Sequence, residues 1–253
     1  MIEVVDFSLF SPEGRQKGKR KIIREATLEV EVNGNRFAKL QCSPADLDFL
    51  AVGFLLSEGL IDDRACIQAL DIREGKDGQY VAEVKVAGGN EVFPRRHIAS
   101  AGVSFHERVG GEIPPAESDL RVRGEAILET MERFGRMSPL YRESRGNHSA
   151  ALSGGEGDIV LFSEDIGRHN CVDKILGRCL SEGIGTNDKM MLLSGRVSVE
   201  MVEKITNGGV PIIAAFGSPT SMAVYLLEKL GMALCWYGKD GELLIFGRDR
   251  RII

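Results

Sequence analysis

The sequence predicts an α/β protein in two parts: a smaller antiparallel β region with one helix, then a layered α/β domain. In the smaller part, "REATLEVEVNGNRFAKLQ" places Asn33-Gly34 between two alternating runs, which predicts a β-hairpin. The second half alternates short apolar strands with amphipathic helices, as in sheets whose central strands are parallel. The segment between the two parts has neither the helical nor the strand periodicity of apolar residues. We therefore expect domains at 1–112 and 113–253, and a mobile loop over 95–113 that lies across the binding crevice.

The smaller part also contains a predicted buried helix, because the residues of "SPADLDFLAVGFLLSEGL" are apolar on almost every side. Ser43 is expected to cap this helix, Pro44 fits its first turn, and Gly59 ends it. A second hairpin is expected around Lys76-Asp77-Gly78.

The larger part is predicted to begin with a helix capped by Ser118 that runs to about Phe134, and a short helix opened by Ser138-Pro139. A "SGGEG" turn separates the first two of the strands that follow. The predicted strands are 149–152, 158–163, 189–194, 210–215, 232–237 and 243–247. The predicted helices between them are 168–182, 198–207 and 219–230.

Composition excludes several functional classes. The net charge is −5 and 43% of the residues are hydrophobic, which predicts a folded protein. It has no basic surface for nucleic acid and no acidic excess that would indicate disorder. No secretory signal or bilayer-length apolar run occurs, so we expect a cytoplasmic protein without membrane contact. The five cysteines form no C-x-x-C pair and have no zinc spacing, which predicts reduced, mostly buried thiols and no bound metal.

Three polar loops each follow a predicted strand and precede a predicted helix: residues 164–170, 194–196 and 217–220. In an open α/β sheet, ligands bind outside the carboxyl ends of the strands, so we expect these loops to meet. The candidate binding residues on or beside them are Asp165, Gly167, Arg168, His169, Asn170, Asp173, Ser194, Gly195, Arg196, Ser218 and Thr220.

These loops indicate an anionic, phosphorylated small molecule. Helix N-termini and the guanidinium groups of Arg168 and Arg196 suit phosphate, while Asp165 and Asp173 can accept hydrogen bonds from a base or a ribose. The alternative is structural: Asp165 caps the helix, Asp173 and Lys174 form its solvated face, and Arg168 pairs with Glu164. We take His169 as a binding residue and not as a catalytic base.

Familiar catalytic and nucleotide motifs are absent from the sequence. It has no phosphate loop, no strand-linked G-x-G-x-x-G and no G-x-S-x-G, and "SGGEG" precedes a strand instead of a helix. The zinc deaminase signature is also missing, so no zinc is expected.

Three long segments are distinctive: "CSPADLDFLAVGFLLSEGLI", "LFSEDIGRHNCVDKILG" and "LLSGRVSVEMVEKITNGGVPIIAAFGSPTSMAVYLLEKLGMAL". Through them the chain resembles the FdhD family of formate dehydrogenase accessory sulfurtransferases, and the resemblance covers nearly the whole chain. "RESRGNHSAAL" resembles the family's glycine-histidine-alanine segment, which would make His148 a site residue.

The resemblance implies a function, a fold and partners. Members take sulfur as a persulfide from a cysteine desulfurase and pass it to molybdenum cofactor, in its bis-molybdopterin guanine dinucleotide form, for the formate dehydrogenase apoenzyme. It further implies a cytidine-deaminase-like larger domain and a homodimer. The guanine nucleotide part of the cofactor is expected in the crevice of residues 164–170 and 194–196.

The chain departs from the family at the sulfur-carrying loop. Where the family carries a C-x-x-C pair, this chain has Ala101 and Ser104, neither of which can hold a persulfide. Cys42 is a weak substitute, since a helix N-terminus beside it would lower its pKa. Two functions stay open: a sulfurtransferase that uses an unrecognised thiol, and a non-catalytic chaperone that binds the cofactor and presents it.

Overall fold

The structure, a computed structural model, describes residues 1–87, 113, 115–239 and 241–253, and the strands of this part form three sheets. A two-stranded sheet pairs β1 (Ile2–Ser11) with β2 (Gly14–Ile23). A four-stranded sheet has the order β4-β3-β6-β5 and consists of β3 (Ala26–Val32), β4 (Asn35–Cys42), β5 (Ile67–Glu74) and β6 (Gln79–Val86).

Two tight turns make the hairpins of the four-stranded sheet. Asn33 and Gly34 both have positive φ, 50° and 79°, as two-residue hairpin turns require, and they join β3 to β4. Asp77 and Gly78 do the same between β5 and β6, with φ of 55° and 74°. Both predicted hairpins are confirmed, whereas the hairpin of β1 and β2 was not predicted.

The buried helix of the smaller part is α1 (Leu47–Ser57), and it ends before Gly59, whose φ of 72° requires glycine. The prediction that Ser43 caps it is wrong. Asp46 is the N-cap residue, and Ser43 lies too far before the first turn to reach it. The hydroxyl of Ser43 instead accepts a hydrogen bond from the backbone N–H of Ile166, at 3.1 Å.

The larger part is a six-stranded mixed sheet covered by helices. Its strand order is β12-β11-β10-β9-β7-β8, and only β9, β10 and β11 are mutually parallel neighbours. The strands are β7 (His148–Gly154), β8 (Ile159–Asp165), β9 (Lys189–Leu193), β10 (Ile212–Ala215), β11 (Ala233–Tyr237) and β12 (Leu243–Gly247). The helices are α2 (Gly124–Met137), α3 (Pro139–Ser144), α4 (Arg168–Glu182), α5 (Val199–Asn207) and α6 (Ser221–Leu230).

Two predicted serine caps have different outcomes. Ser138 caps α3, since its hydroxyl accepts from the N–H of Tyr141 at 2.9 Å. Ser118 does not begin a helix, because α2 starts at Gly124. Before that helix, Val122 forms a β-bridge with Ile252. That bridge holds the segment extended, so the helix cannot begin earlier.

Helices α1 and α4 join the two parts at a crossing that only glycine permits. A Cβ atom on Gly53 would lie 1.7 Å from the carbonyl oxygen of Asp173, and one on Gly177 would lie 1.9 Å from that of Phe49. One apolar core continues from the four-stranded sheet through α1 and α4 to the six-stranded sheet. The domain division at residue 112 stays a prediction, and the described residues on its two sides share this core.

Candidate functional site

The three predicted loops lie at one edge of the six-stranded sheet. Strand β10 runs parallel to β9, β7 runs antiparallel to β9, and β8 runs antiparallel to β7. The carboxyl ends of β8, β9 and β10 and the amino end of β7 therefore share an edge. The sequence segments 164–170, 194–196 and 217–220 meet there, together with the start of β7.

Hydrogen bonds fix His148 beside the loop that follows β9. The Ser194 hydroxyl accepts from the N–H of Ser149 at 2.9 Å and lies 3.4 Å from Nδ1 of His148. The N–H of Ser194 donates to the carbonyl of Ser149 at 3.1 Å. The structure thus brings together His148, which was predicted only from the family resemblance, and Ser194.

Two glycines let the loops after β9 and β10 touch through their backbones. A Cβ on Gly217 would lie 2.4 Å from Gly195 backbone atoms, and one on Gly195 would lie 3.2 Å from Cδ of Arg168. The loops are also bridged by hydrogen bonds: Val197 N–H donates to the Ser218 carbonyl at 3.2 Å. This contact places Gly195 against Arg168, the first residue of α4.

Thr220 has a structural role at the same edge. Its N–H donates to the Val197 carbonyl at 3.0 Å, and its hydroxyl accepts from the N–H of Ala223 as the cap of α6. Ser218 contributes its backbone to the loop contact. Both residues therefore shape the edge through the loops that they hold.

Arg168 and Arg196 form the positive centre of this edge. Burial, and after it the charge of Arg196, lowers the pKa of Arg168, while Glu200 acts in the opposite direction. The Nε of Arg168 is buried and makes no hydrogen bond to any described residue, whereas Arg196 is exposed. Two neighbouring guanidinium groups, one with an unsatisfied buried donor, are the arrangement that a bound anion stabilises.

Further unsatisfied polar atoms lie along α4 and α5 behind Arg168. His169 is 5% exposed, and neither of its ring nitrogens makes a hydrogen bond within the described residues. Glu200 Oε2 is 3.4 Å from His169 Nε2, within ion-pair distance but without hydrogen-bond geometry. The buried hydroxyl of Ser198 also lacks a partner in the described chain. Native interiors leave few such atoms unpaired, so this edge is suited to a ligand.

Asp165 lies in the interior and not in the crevice. Its carboxylate accepts from the N–H groups of Ser43 and Gly167, from Nδ2 of Asn170 at 2.8 Å and from Nζ of Lys174 at 2.6 Å. All of these donors belong to the protein. The expected contact of Asp165 with a ligand is therefore not what the structure shows. The alternative that Asp165 caps the helix is also wrong, because the N-cap residue of α4 is Gly167 and no side chain caps the helix there.

Asp173 is also held inside, where α1, α4 and α5 meet. Its carboxylate accepts from Ser57 Oγ at 2.6 Å and from Lys204 Nζ at 3.1 Å, and Glu58 also lies 2.9 Å from Lys204. Burial raises the pKa of Asp173, while Lys204 opposes that rise. Asp173 and Lys174 are 1% and 2% exposed, so the alternative that they form a solvated face is wrong.

A cavity of about 320 Å³ opens beside His148. Phe134 and Phe216 form an aromatic wall, with ring centroids 6.1 Å apart and planes 7° from parallel. The polar part of the lining includes Asn147, whose Nδ2 donates to Glu164 Oε1 at 3.0 Å and whose Oδ1 is buried with no partner in the described residues. None of these three lining residues was predicted from the sequence. The position of Phe216 at the end of "PIIAAF" was the one available signal.

The surroundings of His148 favour its neutral form. Burial is the main cause that lowers the pKa of His148, neighbouring Arg168 and His169 add to the lowering, and Asp165 acts in the opposite direction. A neutral imidazole can donate from one nitrogen and accept at the other.

The cysteines offer little thiolate for sulfur chemistry. Burial raises the pKa of Cys42 and Cys235 to about 12, that of Cys179 to about 11, and that of Cys171 well above its usual value. The expected lowering of the Cys42 pKa is therefore wrong. Cys66 is half-buried.

The positions of the family's cysteine pair are Ala101 and Ser104, and both lie outside the described residues. The loop predicted over 95–113 also lies outside them, apart from Ile113.

No helix in the described part of the chain is long and apolar enough to cross a bilayer. No three His, Cys, Asp or Glu side chains there come together in a way that would hold a metal ion.

Comparison with known proteins identifies the family. The sequence model of the FdhD/NarQ family matches residues 23–253. "Sulfur carrier protein FdhD" of Staphylococcus haemolyticus (strain JCSC1435) is 33% identical over 236 residues, which are 91% of this chain and 89% of the relative. The protein of the same name from Bacillus subtilis (strain 168) is 31% identical over 241 residues, 93% of this chain and 92% of the relative.

A solved structure shares the fold. The structure of a formate dehydrogenase accessory protein from Desulfotalea psychrophila superposes with a TM-score of 0.80 and 24% identity, and covers 100% of this chain and 99% of its own. Since the family model matches nearly the whole sequence and the relatives exceed 30% identity, the chain belongs to the FdhD/NarQ family.

Proposed function

We propose that this chain is an accessory protein for formate dehydrogenase that binds molybdenum cofactor in its bis-molybdopterin guanine dinucleotide form, as cargo, at the edge of the six-stranded sheet. The observation that carries the proposal is the buried, unpartnered Nε of Arg168 next to the exposed Arg196. The names of the relatives, sulfur carrier protein FdhD, support the accessory role.

The phosphates of the cargo are assigned to Arg168 and Arg196. Arg168 is the first residue of the 15-residue helix α4, so the positive end of the helix dipole adds to the two guanidinium charges. Gly195 and Gly217 bring backbone close to these charges without side chains in the way. The site thus offers planar donors and open backbone, which suit a pyrophosphate.

The guanine base is assigned to the cavity beside His148. The rings of Phe134 and Phe216 provide an aromatic wall, and the unsatisfied Asn147 Oδ1 is an acceptor. Guanine carries two adjacent donor groups, N1–H and the exocyclic amine, that fit such an acceptor.

For sulfur, the structure favours the chaperone over the sulfurtransferase. In a transfer, a thiolate of this chain would attack the terminal sulfur of the desulfurase persulfide, and the desulfurase cysteine would leave as a thiolate. Four of the five cysteines are buried and have raised pKa values, and serine and alanine occupy 104 and 101. We therefore propose binding and presentation of the cofactor as the function, with sulfur transfer as the second candidate, which the names of the relatives favour.

The remaining parts of the proposal rest on the family resemblance. They are a cysteine desulfurase and the formate dehydrogenase apoenzyme as partners, a homodimer, a cytoplasmic location and a cytidine-deaminase-like layering of the larger part.

Calorimetric titration with GDP, a fragment of the cargo, tests the binding site. Arg168→Ala is expected to weaken binding by about 10–100-fold, since a hydrogen bond to a charged group contributes about 1.5–3 kcal/mol. Arg178→Ala is the matched control, because Arg178 lies on the same helix but is exposed and pairs with Glu182. Equal GDP affinity in the two variants contradicts the assignment.

Intact-protein mass after incubation with a cysteine desulfurase and cysteine separates the two functions. A gain of one sulfur atom that a reductant removes, and that Cys66→Ala abolishes, would establish a sulfurtransferase with a substitute thiol. No gain in a preparation that still binds GDP is the result expected for the chaperone.

A further inference from the structure

The N-terminal hairpin of β1 and β2 stands apart from the other sheets. It has two strands only, and no third strand among the described residues pairs with it. Of the thirteen exposed large apolar side chains in the described chain, six lie in it: Met1, Val4, Phe7, Leu9, Phe10 and Ile22. An isolated hairpin with this much exposed apolar surface is marginally stable in water, so it is suited to a partner.

One face of the hairpin carries a row of positive charges. Strand β2 presents Arg15, Lys17, Lys19 and Lys21 at every second position, so all four lie on the same face. Lys21 pairs with Glu143 of α3 at 3.0 Å, while the other three make no ion pair within the described chain. Asp6 is the one acidic residue of β1 on this face, directly across from Lys19, so the row keeps a net positive charge.

The opposite face carries apolar side chains beside Glu3, Gln16 and Arg20, and it has a gap. Val5, Phe7 and Leu9 lie on this face, and Gly18 is the residue of β2 directly across from Phe7. A Cβ at Gly18 would lie 2.7 Å from Cζ of the Phe7 ring, so the ring extends over the glycine. An apolar side chain beside β2 can therefore reach the Phe7 ring.

We propose that β2 binds an extended segment of a partner protein whose acidic and apolar residues alternate. The outer edge of β2 has no strand partner in the described residues, and such edges accept an added strand through backbone hydrogen bonds. On one face of an added strand, successive side chains are about 6.8 Å apart, which is also the spacing of the cations along β2. Its acidic residues then face the cations, and its apolar residues face Phe7 and Ile22.

The geometry favours such a segment over other occupants. Exposed apolar side chains lie on both faces of the hairpin, with Phe10 across from Arg15 on the charged face and Phe7 on the other. A flat membrane can therefore contact only part of them, and nucleic acid cannot form backbone pairs with the strand edge. A second copy of β2 would place its cations against like charges. The base of the hairpin contacts α3, whose Tyr141 lines the cavity, so the segment would bind beside the candidate site.

A labelled ten-residue peptide of alternating glutamate and valine tests the proposal by fluorescence anisotropy with the full chain. The variant Lys17→Glu/Lys19→Glu is expected to bind at least about ten-fold more weakly, because attraction becomes repulsion at two positions. Phe7→Ser is expected to weaken binding by about three-fold or more through the lost apolar contact. Lys39→Glu, an exposed cation on the edge strand β4, is the matched control and is expected to bind like the unaltered chain.

Four outcomes would overturn the proposal. They are unchanged binding in the double variant, equal binding of a polyglutamate peptide of the same charge, preferential binding of duplex DNA or of anionic vesicles through the same lysines, and a dimer of the chain that the double variant abolishes.

Discussion

The charged side chains at the start of helix α4 and those one turn later have opposite surroundings. Asp173 is enclosed by Ser57 and Lys204, which are distant from it in the sequence, and Lys174 is enclosed by the nearby Asp165. Arg168 and His169 have buried nitrogens that no described group satisfies. The comparison divides one polar stretch, residues 163–175, into enclosed charges that hold the fold and unsatisfied polar atoms that we propose bind a ligand.

The enclosed charges fix how three helices meet. Asp173 on α4 is bound by Ser57 of α1 and Lys204 of α5. Burial alone would lower the pKa of Lys204, but the charges of Asp173 and Glu58 outweigh burial and raise it. A buried charge with all its partners is tolerated, whereas one that loses its partner is strongly destabilising.

The largest effect on stability is expected when one member of the enclosed Asp173–Lys204 ion pair is removed. Asp173→Ala leaves the Lys204 ammonium buried and is expected to lower the free energy of unfolding by about 3–5 kcal/mol. Urea unfolding at pH 7 measures this. The control Asp188→Ala removes an exposed carboxylate and is expected to change stability by less than about 0.5 kcal/mol. A loss of similar size in both variants would remove the distinction between enclosed and available charges.

Arg168→Ala tests the unsatisfied side chains at the start of α4. Its stability is expected to stay within about 0.5 kcal/mol of the unaltered chain, because no hydrogen-bond partner among the described residues is left unpaired, while GDP binding weakens by about 1.5–3 kcal/mol. Urea unfolding and calorimetry on the same preparation measure both quantities. A variant that unfolds more easily but binds GDP normally would assign Arg168 to the fold.

The helix crossing beneath these charges depends on its glycines. Gly177→Ala places a methyl group against the Phe49 carbonyl and is expected to cost about 1–3 kcal/mol of stability. Gly185→Ala adds the same methyl group where the nearest atom is 4.0 Å away and is expected to be nearly neutral. Equal stabilities in urea would show that α1 and α4 can separate without cost.

The smallest effect concerns pH. The pKa of His148 is lowered in the folded protein, so the unfolded chain binds the proton more readily. The contribution of neutral His148 is therefore complete above about pH 6.5 and is lost as the pH falls through the lowered folded-state pKa. The fall in urea midpoint between pH 7 and 5 is expected to be smaller in His148→Asn than in the unaltered chain. An identical fall in both would exclude His148 as its source.

Local sequence signals predicted most elements of the fold. Helix α4 and strand β12 have the predicted bounds, because the first has a clear helical pattern up to Gly183 and the second follows a glycine turn. The hairpin of β1 and β2 was missed because "GRQKGKRKII" is polar on both sides of the alternation until its last two residues.

The sequence could predict that the three polar loops meet, but it could not divide their residues by role. It shows that Asp173 is charged, but the partners that enclose it are 116 and 31 residues away. The aromatic wall likewise combines Phe134 and Phe216 from separate segments. Such long-range contacts leave no local pattern, so binding and structural charges were grouped together.

The most direct test of this account follows the Nε–Hε resonances of the arginines in ¹H–¹⁵N spectra during a GDP titration, with Arg168→Lys and Arg178→Lys variants for assignment. We predict a saturable shift of the Arg168 resonance and little change at Arg178, whose guanidinium already pairs with Glu182. Saturable GDP binding that leaves the Arg168 resonance unmoved would contradict the claim that the unsatisfied charges of α4 form the binding site.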